Sequence, residues 1–243
     1  MASSGLRIGS FAGAGVIIEP AFLLLAAYAV GSAIISGGFE AAPDAFVFVG
    51  TIFAAVLMHE LGHAGVASLL SIPSKRIVVT FFGGYVQFAL QPKQRWREIL
   101  VSAAGPVANL LCCGTVLALA PIIAQLAPNP IALGVVGILQ KFGQVSALLG
   151  AFNLLPGSPL DGGHILRSTL NYLMSRARAA IIAGAAGVAI GLGLVWFGIS
   201  SQLPWTAFMG GFLALSAWSE ITRNQRELSG AAQGASTISN ANK

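Results

Sequence analysis

Long stretches of the chain are apolar without interruption, and its polar residues gather in the short segments between them. A helix needs about 20 apolar residues to cross a bilayer. Six stretches approach that length: Ala21 to Ile35, Phe46 to Leu70, Ile99 to Leu126, Ile131 to Leu155, Ala179 to Ile199 and Trp205 to Ile221. The first extends back into Val16 to Pro20, and the fourth, which contains Gln140, Lys141 and Gln144, has room for a separate short outer helix at its start. Two segments depart from plain span and loop. In RIVVTFFGGYVQFAL, β-branched and aromatic residues flank Gly83-Gly84, which predicts a short hairpin with a glycine turn, apolar enough to dip into the membrane region. In Pro156 to Pro159, two prolines and a glycine forbid regular helix before Asp161, and ILRSTLNYLMS beyond it predicts a short helix near the cytoplasmic surface. The first 17 residues hold neither a sustained apolar run nor a clear cleavage site, so no removable signal peptide is expected. The pattern predicts an all-α polytopic membrane protein: six transmembrane helices with a small membrane-associated β-hairpin. It forms a single membrane-embedded domain over residues 1–221, followed by a polar, disordered cytoplasmic tail over 222–243.

Composition excludes the alternatives to a membrane protein. Of 243 residues, 56% are hydrophobic and 9% charged, whereas a soluble domain carries about 25% charged residues. Two cysteines, adjacent at Cys112-Cys113 in an apolar run, are too few for a disulfide scaffold and read as small packing residues. The net charge of +5 does not call for nucleic acid, because the basic residues sort by side. Arg7 precedes the first span, Lys75, Arg76, Lys93, Arg95 and Arg97 follow the second, Arg167, Arg176 and Arg178 follow the fourth, and Arg223, Arg226 and Lys243 follow the sixth. The connections Gly37 to Asp44, Ala127 to Pro130 and Ser200 to Pro204 contain no Lys or Arg, which places both termini in the cytoplasm. Lys141 alone falls outside the scheme and either lines a water path with Gln144 or sits in an outer surface helix.

The second span contains His59-Glu60-Leu61-Gly62-His63. Residues four apart share a helix face, so both imidazoles can bind one Zn²⁺ while Glu60, one step round, is placed to accept a proton from water. Three ionisable groups within five residues of a membrane span are each costly without a role. A catalytic zinc site takes a third protein ligand, for which the residues offer Asp161, one of only two Asp in the chain, or His164. Gly105 and Asn109, four apart in the third span, permit close helix packing and an interhelical hydrogen bond. Asn153 either satisfies backbone broken by the prolines or contacts substrate or an oxyanion.

His59 to His63, Gly105-Pro106-Val107-Ala108-Asn109 and Asn153-Leu154-Leu155-Pro156-Gly157-Ser158-Pro159-Leu160-Asp161-Gly162-Gly163 together resemble the motifs of the site-2 proteases, intramembrane zinc metalloproteases. The resemblance covers roughly residues 15 to 221, and it implies one Zn²⁺ per chain held by His59, His63 and Asp161, with Glu60 as general base. The segment around Gly83-Gly84 looks like the family's membrane-associated β element, thought to hold substrate. The implied function is cleavage of transmembrane segments within the bilayer. Implied substrates are membrane-anchored regulators, anti-sigma factors or signal-peptide remnants, in a bacterial or archaeal cell membrane. No PDZ-like insertion and no CBS-like domain is visible in the sequence. Two other classes fit some of the same residues: a zinc or ion transporter, and an inactive scaffold that binds membrane helices.

Overall fold

A computed structural model describes residues 5–80, 83–90, 92, 94–126 and 129–241, with the backbone alone at 227–228 and 230–241. Phe81-Phe82, Lys93, Ala127-Pro128 and Lys243, which enter the expectations above, lie outside the described residues. The chain gathers into two compact units, residues 1–92 with 103–152 and residues 93–102 with 153–243.

The first unit contains a four-stranded sheet in the order β1-β2-β3-β4, where a two-stranded hairpin was expected. Strands β1 (Leu6–Phe11) and β2 (Ala14–Ile18) pair antiparallel across Ala12 and Gly13, both at positive φ (48° and 81°), as a two-residue hairpin turn requires. Strand β2 then pairs parallel with β3 (Ser74–Thr80), Gly15 opposite Arg76 and Ile18 opposite Val79. Strand β4 (Gly83–Phe88) returns antiparallel, with Thr80 opposite Gly83. The glycine pair is therefore not the turn but the start of the outer strand.

Between β2 and β3 run helix α1 (Pro20–Gly37), a short 3-10 turn (Phe39–Ala41) and helix α2 (Ala42–Leu69). Alternate residues of β2 are buried, and Ala14 and Val16 pack with Ala64 of α2 and Ile77 of β3. A second cluster joins Ile18, Phe22, Val56 and Val79, with the Phe22 and Phe53 rings 5.6 Å apart. Helices α3 (Arg95–Leu126, with Pro106 and Pro121 inside it) and α4 (Pro130–Asn153) pack through Val116, Ala120 and Val136. They also meet at Gly150, where a Cβ would lie 2.9 Å from the Pro106 carbonyl oxygen and 3.3 Å from the Asn109 Cβ. That is the close packing expected of Asn109, but the expected hydrogen bond is absent: among the described residues neither amide atom of this fully buried side chain has a partner. Helix α4 is continuous, with no separate outer helix at its start, and Lys141 forms an exposed ion pair with Asp44 of α2 at 3.3 Å.

The second unit contains α5 (Asp161–Leu170), α6 (Arg176–Ser200) and α7 (Pro204–Ala241). Helices α6 and α7 approach closely along glycines: a Cβ on Gly191 would lie 2.7 Å from the Gly210 oxygen, and one on Gly187 3.0 Å from the Ala217 Cβ. Among the described residues five helices are long and apolar enough to cross a membrane: Pro20–Gly37, Phe39–Leu69, Arg95–Leu126, Pro130–Asn153 and Arg176–Ser200. Large apolar side chains such as Leu24, Tyr28, Ile35, Leu148 and Trp196 are more than two-thirds exposed, as lipid-facing residues are. The chain is an integral membrane protein. The sixth expected span falls in the first half of α7, where Thr206, Gly210, Gly211, Ser216, Ser219 and Glu220 dilute the apolar run and keep it out of that set. Backbone helix continues past residue 222 to Ala241.

Candidate functional site

Helix α2 carries His59, Glu60 and His63, all less than a tenth exposed. The two imidazoles stack edge to face with ring centroids 4.7 Å apart. Three glycines let backbone approach this turn where any side chain would collide. At Gly62 a Cβ would lie 2.6 Å from the Ala104 oxygen and 2.8 Å from the Ala108 Cβ, so α3 lies directly against the motif. At Gly105 it would strike His63 Nε2 and lie 2.8 Å from His59 Nε2. Both Nε2 atoms therefore converge on one spot beside α3. At Gly84 it would lie 2.7 Å from Glu60 Oε1 and 2.8 Å from Cδ, so strand β4 runs past the carboxylate at backbone distance. Its neighbour Gly83, at φ 128°, has open space where a Cβ would be. A glycine pair serves a turn or a close approach equally well, and here one glycine supplies the left-handed strand start and the other the approach to Glu60.

Asp161 is the first residue of α5, half-buried, after the broken segment Pro156–Leu160. His59 and His63 bring their Nε2 atoms together in the first unit, and Asp161 belongs to the second. Two imidazoles and a carboxylate are a donor set for Zn²⁺ that leaves a coordination position open, and the missing side chain of Gly105 leaves room where the imidazole nitrogens meet. The residues present fit the metal. His164, the rival third ligand, is engaged elsewhere: its Nδ1 lies 2.9 Å from Arg167 Nη2. Burial, and then the neighbouring Arg167 guanidinium, hold its imidazole below the usual histidine range, against the opposing pull of Asp161, Glu220 and Glu98. Asn153 is the half-buried last residue of α4, eight positions before Asp161. Sequence reading gave Gly105 a packing role and passed over Glu98, Arg167 and Glu220, three charged residues that bond to one another in the second unit.

The chain matches the profile of peptidase family M50 over residues 47–128 and 120–198. It belongs to peptidase family M50. The resemblance to site-2 proteases read from the motifs is borne out. Among curated relatives, the chain is 34% identical over 183 residues to a putative zinc metalloprotease of Mycobacterium tuberculosis, covering 71% of this chain and 45% of that protein. It is 29% identical over 246 residues to a putative zinc metalloprotease of Synechocystis, covering 92% and 61%. A zinc metalloprotease of Methanocaldococcus jannaschii is 30% identical over 151 residues, covering 62% and 42%. The chain thus spans about half the length of these M50 relatives. Its fold is that of the site-2 protease from Methanocaldococcus jannaschii, with a TM-score of 0.66 at 23% identity over 89% of this chain and 95% of that one.

Proposed function

We propose that the protein is a zinc-dependent endopeptidase that cleaves transmembrane segments of other membrane proteins within the bilayer. The observation that carries this reading is the turn of α2 on which the His59 and His63 Nε2 atoms converge and Glu60 faces strand β4, in a chain of family M50. His59, His63 and Asp161 hold one Zn²⁺, which when bound polarises the scissile carbonyl and makes water a nucleophile at neutral pH. Glu60 accepts the proton of the attacking water and returns it to the leaving amide nitrogen. A peptide bond in a helix is shielded by its own hydrogen bonds, so the substrate must open locally. Strand β4 is an outer strand of the sheet, and among the described residues no strand pairs on its far side. An extended substrate segment adds to that edge and is led past Glu60 at Gly84, with Asn153 as a further contact for substrate or oxyanion.

The substrates are membrane-spanning proteins, by the family resemblance anti-sigma factors, membrane-anchored regulators or signal-peptide remnants. The first half of α7 is the sixth span, and both termini face the cytoplasm of a bacterial or archaeal cell. No observation favours the transporter or the scaffold. The test is cleavage of a reporter membrane helix by purified protein in liposomes, with and without chelator. Cleavage should stop with chelator, and Glu60→Gln should keep about one zinc while losing about 10²- to 10⁴-fold in rate. Wild-type cleavage by Glu60→Gln would remove the assigned base.

A further inference from the structure

One carboxylate ties the chain down on both sides of Asp161. Three residues before it, Ser158 Oγ donates a short hydrogen bond to Glu220 Oε2 of α7. Six residues after it, Arg167 Nη1 donates to Glu220 Oε1 at 3.2 Å. Arg167 also donates from Nη2 to Glu98 Oε1 of α3 at 2.8 Å, and the same nitrogen lies 2.9 Å from His164 Nδ1. The backbone between these ties is folded back on itself. Ser158 N–H donates to the Ala183 carbonyl at 3.0 Å, and the Gly163 and His164 N–H groups donate to the Leu160 carbonyl at 3.0 and 3.1 Å. A Cβ on Gly162 would strike the Leu154 and Leu155 carbonyl oxygens, and one on Gly163 the Ser158 nitrogen. Asp161 therefore sits in a segment with no slack, and its orientation is set by whatever anchors the two flanks. Those anchors are costly: the Arg167, Glu98 and Glu220 side chains are only 21%, 16% and 12% exposed, and partly buried charges repay their desolvation only when geometry is good and every group is bonded.

We propose that Glu220 and Arg167 are positioning residues for Asp161, fixing the setting of the α5 N-terminus and hence the direction in which the Asp161 carboxylate faces the metal. Glu220 does so by clamping Ser158 and Arg167 at once, and Arg167 by joining α5 to α7 and α3. The inference rests on the reading of Asp161 as a metal ligand. Groups that orient a ligand without touching the metal change its affinity by about 10- to 100-fold.

The test uses full-length protein in detergent, with Glu220→Gln, which keeps the volume but can accept only one of the two hydrogen bonds, and Ser158→Ala, which removes one tie and no charge. Zinc affinity is measured by chelator competition, the visible band of the Co²⁺ form reports ligand geometry, and hydrogen exchange over residues 157–164 is followed in the metal-free protein. Glu220→Gln should weaken zinc binding about 10- to 100-fold and alter the Co²⁺ band, with Ser158→Ala shifting both in the same direction and faster exchange at 157–164 in each. If both variants bind zinc within about twofold of wild type and keep its Co²⁺ band, the positioning role is wrong, even if their melting temperatures fall. If Glu220→Gln does not fold, Ser158→Ala alone decides. Asp161→Ala separates the two levels. If it keeps wild-type zinc affinity, the ligand assignment itself fails; if it loses affinity while the other variants do not, only the positioning role fails.

Discussion

Around His59 and His63 neighbouring backbone comes close because side chains are missing, whereas around Asp161 the chain is tied down by charge. The first arrangement uses Gly62, Gly84 and Gly105, each at a spot where a Cβ would overlap a neighbour. The second uses Arg167 between Glu98 and Glu220, with Ser158 on the same carboxylate. The two differ in how they fail. A steric arrangement breaks when atoms are added, and an ionic one when a partner is removed. A buried polar turn of α2 gains from the first kind, because glycine contacts bring backbone to the imidazoles without adding a further charge to a membrane span. Helix α5 has only ten residues and lies in a polar connection, so charged ties are available to it.

The largest effect should come from Gly105→Val, which places atoms against both Nε2 groups. Overpacking of about 1–3 kcal/mol, concentrated on these two nitrogens, should lower zinc affinity by about 10- to 100-fold, measured by chelator competition, while circular dichroism stays near wild type. Wild-type affinity in that variant would mean that α3 yields freely and the steric account is wrong. Next comes Arg167→Met, which leaves Glu220 without its guanidinium and Glu98 with only the more distant Arg176 at 3.9 Å. Breaking a fully buried pair costs about 3–5 kcal/mol, and partial exposure of all three groups brings the expected loss in thermal unfolding down to about 1–2 kcal/mol.

A smaller effect concerns acid. The folded state holds His164 below its ordinary range, so the unfolded chain binds the proton first as pH falls. The associated stability is fully present above about pH 6.5 and is lost as pH drops below it, by at most about 1.4 kcal/mol per unit. His164→Gln should flatten that part of the melting-temperature profile; an unchanged profile would show that the imidazole is not held neutral. Smallest of all, Lys141→Ala removes an exposed ion pair with Asp44 and should shift stability by less than about 1 kcal/mol. A larger change would show that Lys141 serves more than this pair.

Five of the expected spans coincide with helices to within a few residues, because hydropathy over 20 residues integrates many weak signals. The spacing of His59, Glu60 and His63 was legible for the same local reason. The N-terminal hairpin was not. Strand β1 is exposed along its whole length and so shows no alternation, and β2 has five residues whose pairing partner begins near residue 76. Gly83-Gly84 was misread because a turn and a close approach ask for the same residue. The cluster of Glu98, Arg167 and Glu220 was invisible because its members stand more than 50 positions apart, and nothing in the spacing of such residues says that they meet.

The parallel pairing of β2 with β3 has a consequence for the order in which the protein is made. Residues 15–18 leave the ribosome more than 50 positions ahead of the strand they must join, and two apolar helices lie between them. Those helices have to be threaded into lipid as a pair before the strands can meet, so closure of the sheet waits on insertion. Glu60 acquires its neighbour at Gly84 later still. A half-made chain therefore holds Glu60 without the strand that runs past it, and this turn of α2 stays unfinished on the nascent polypeptide until the membrane has accepted its first two helices.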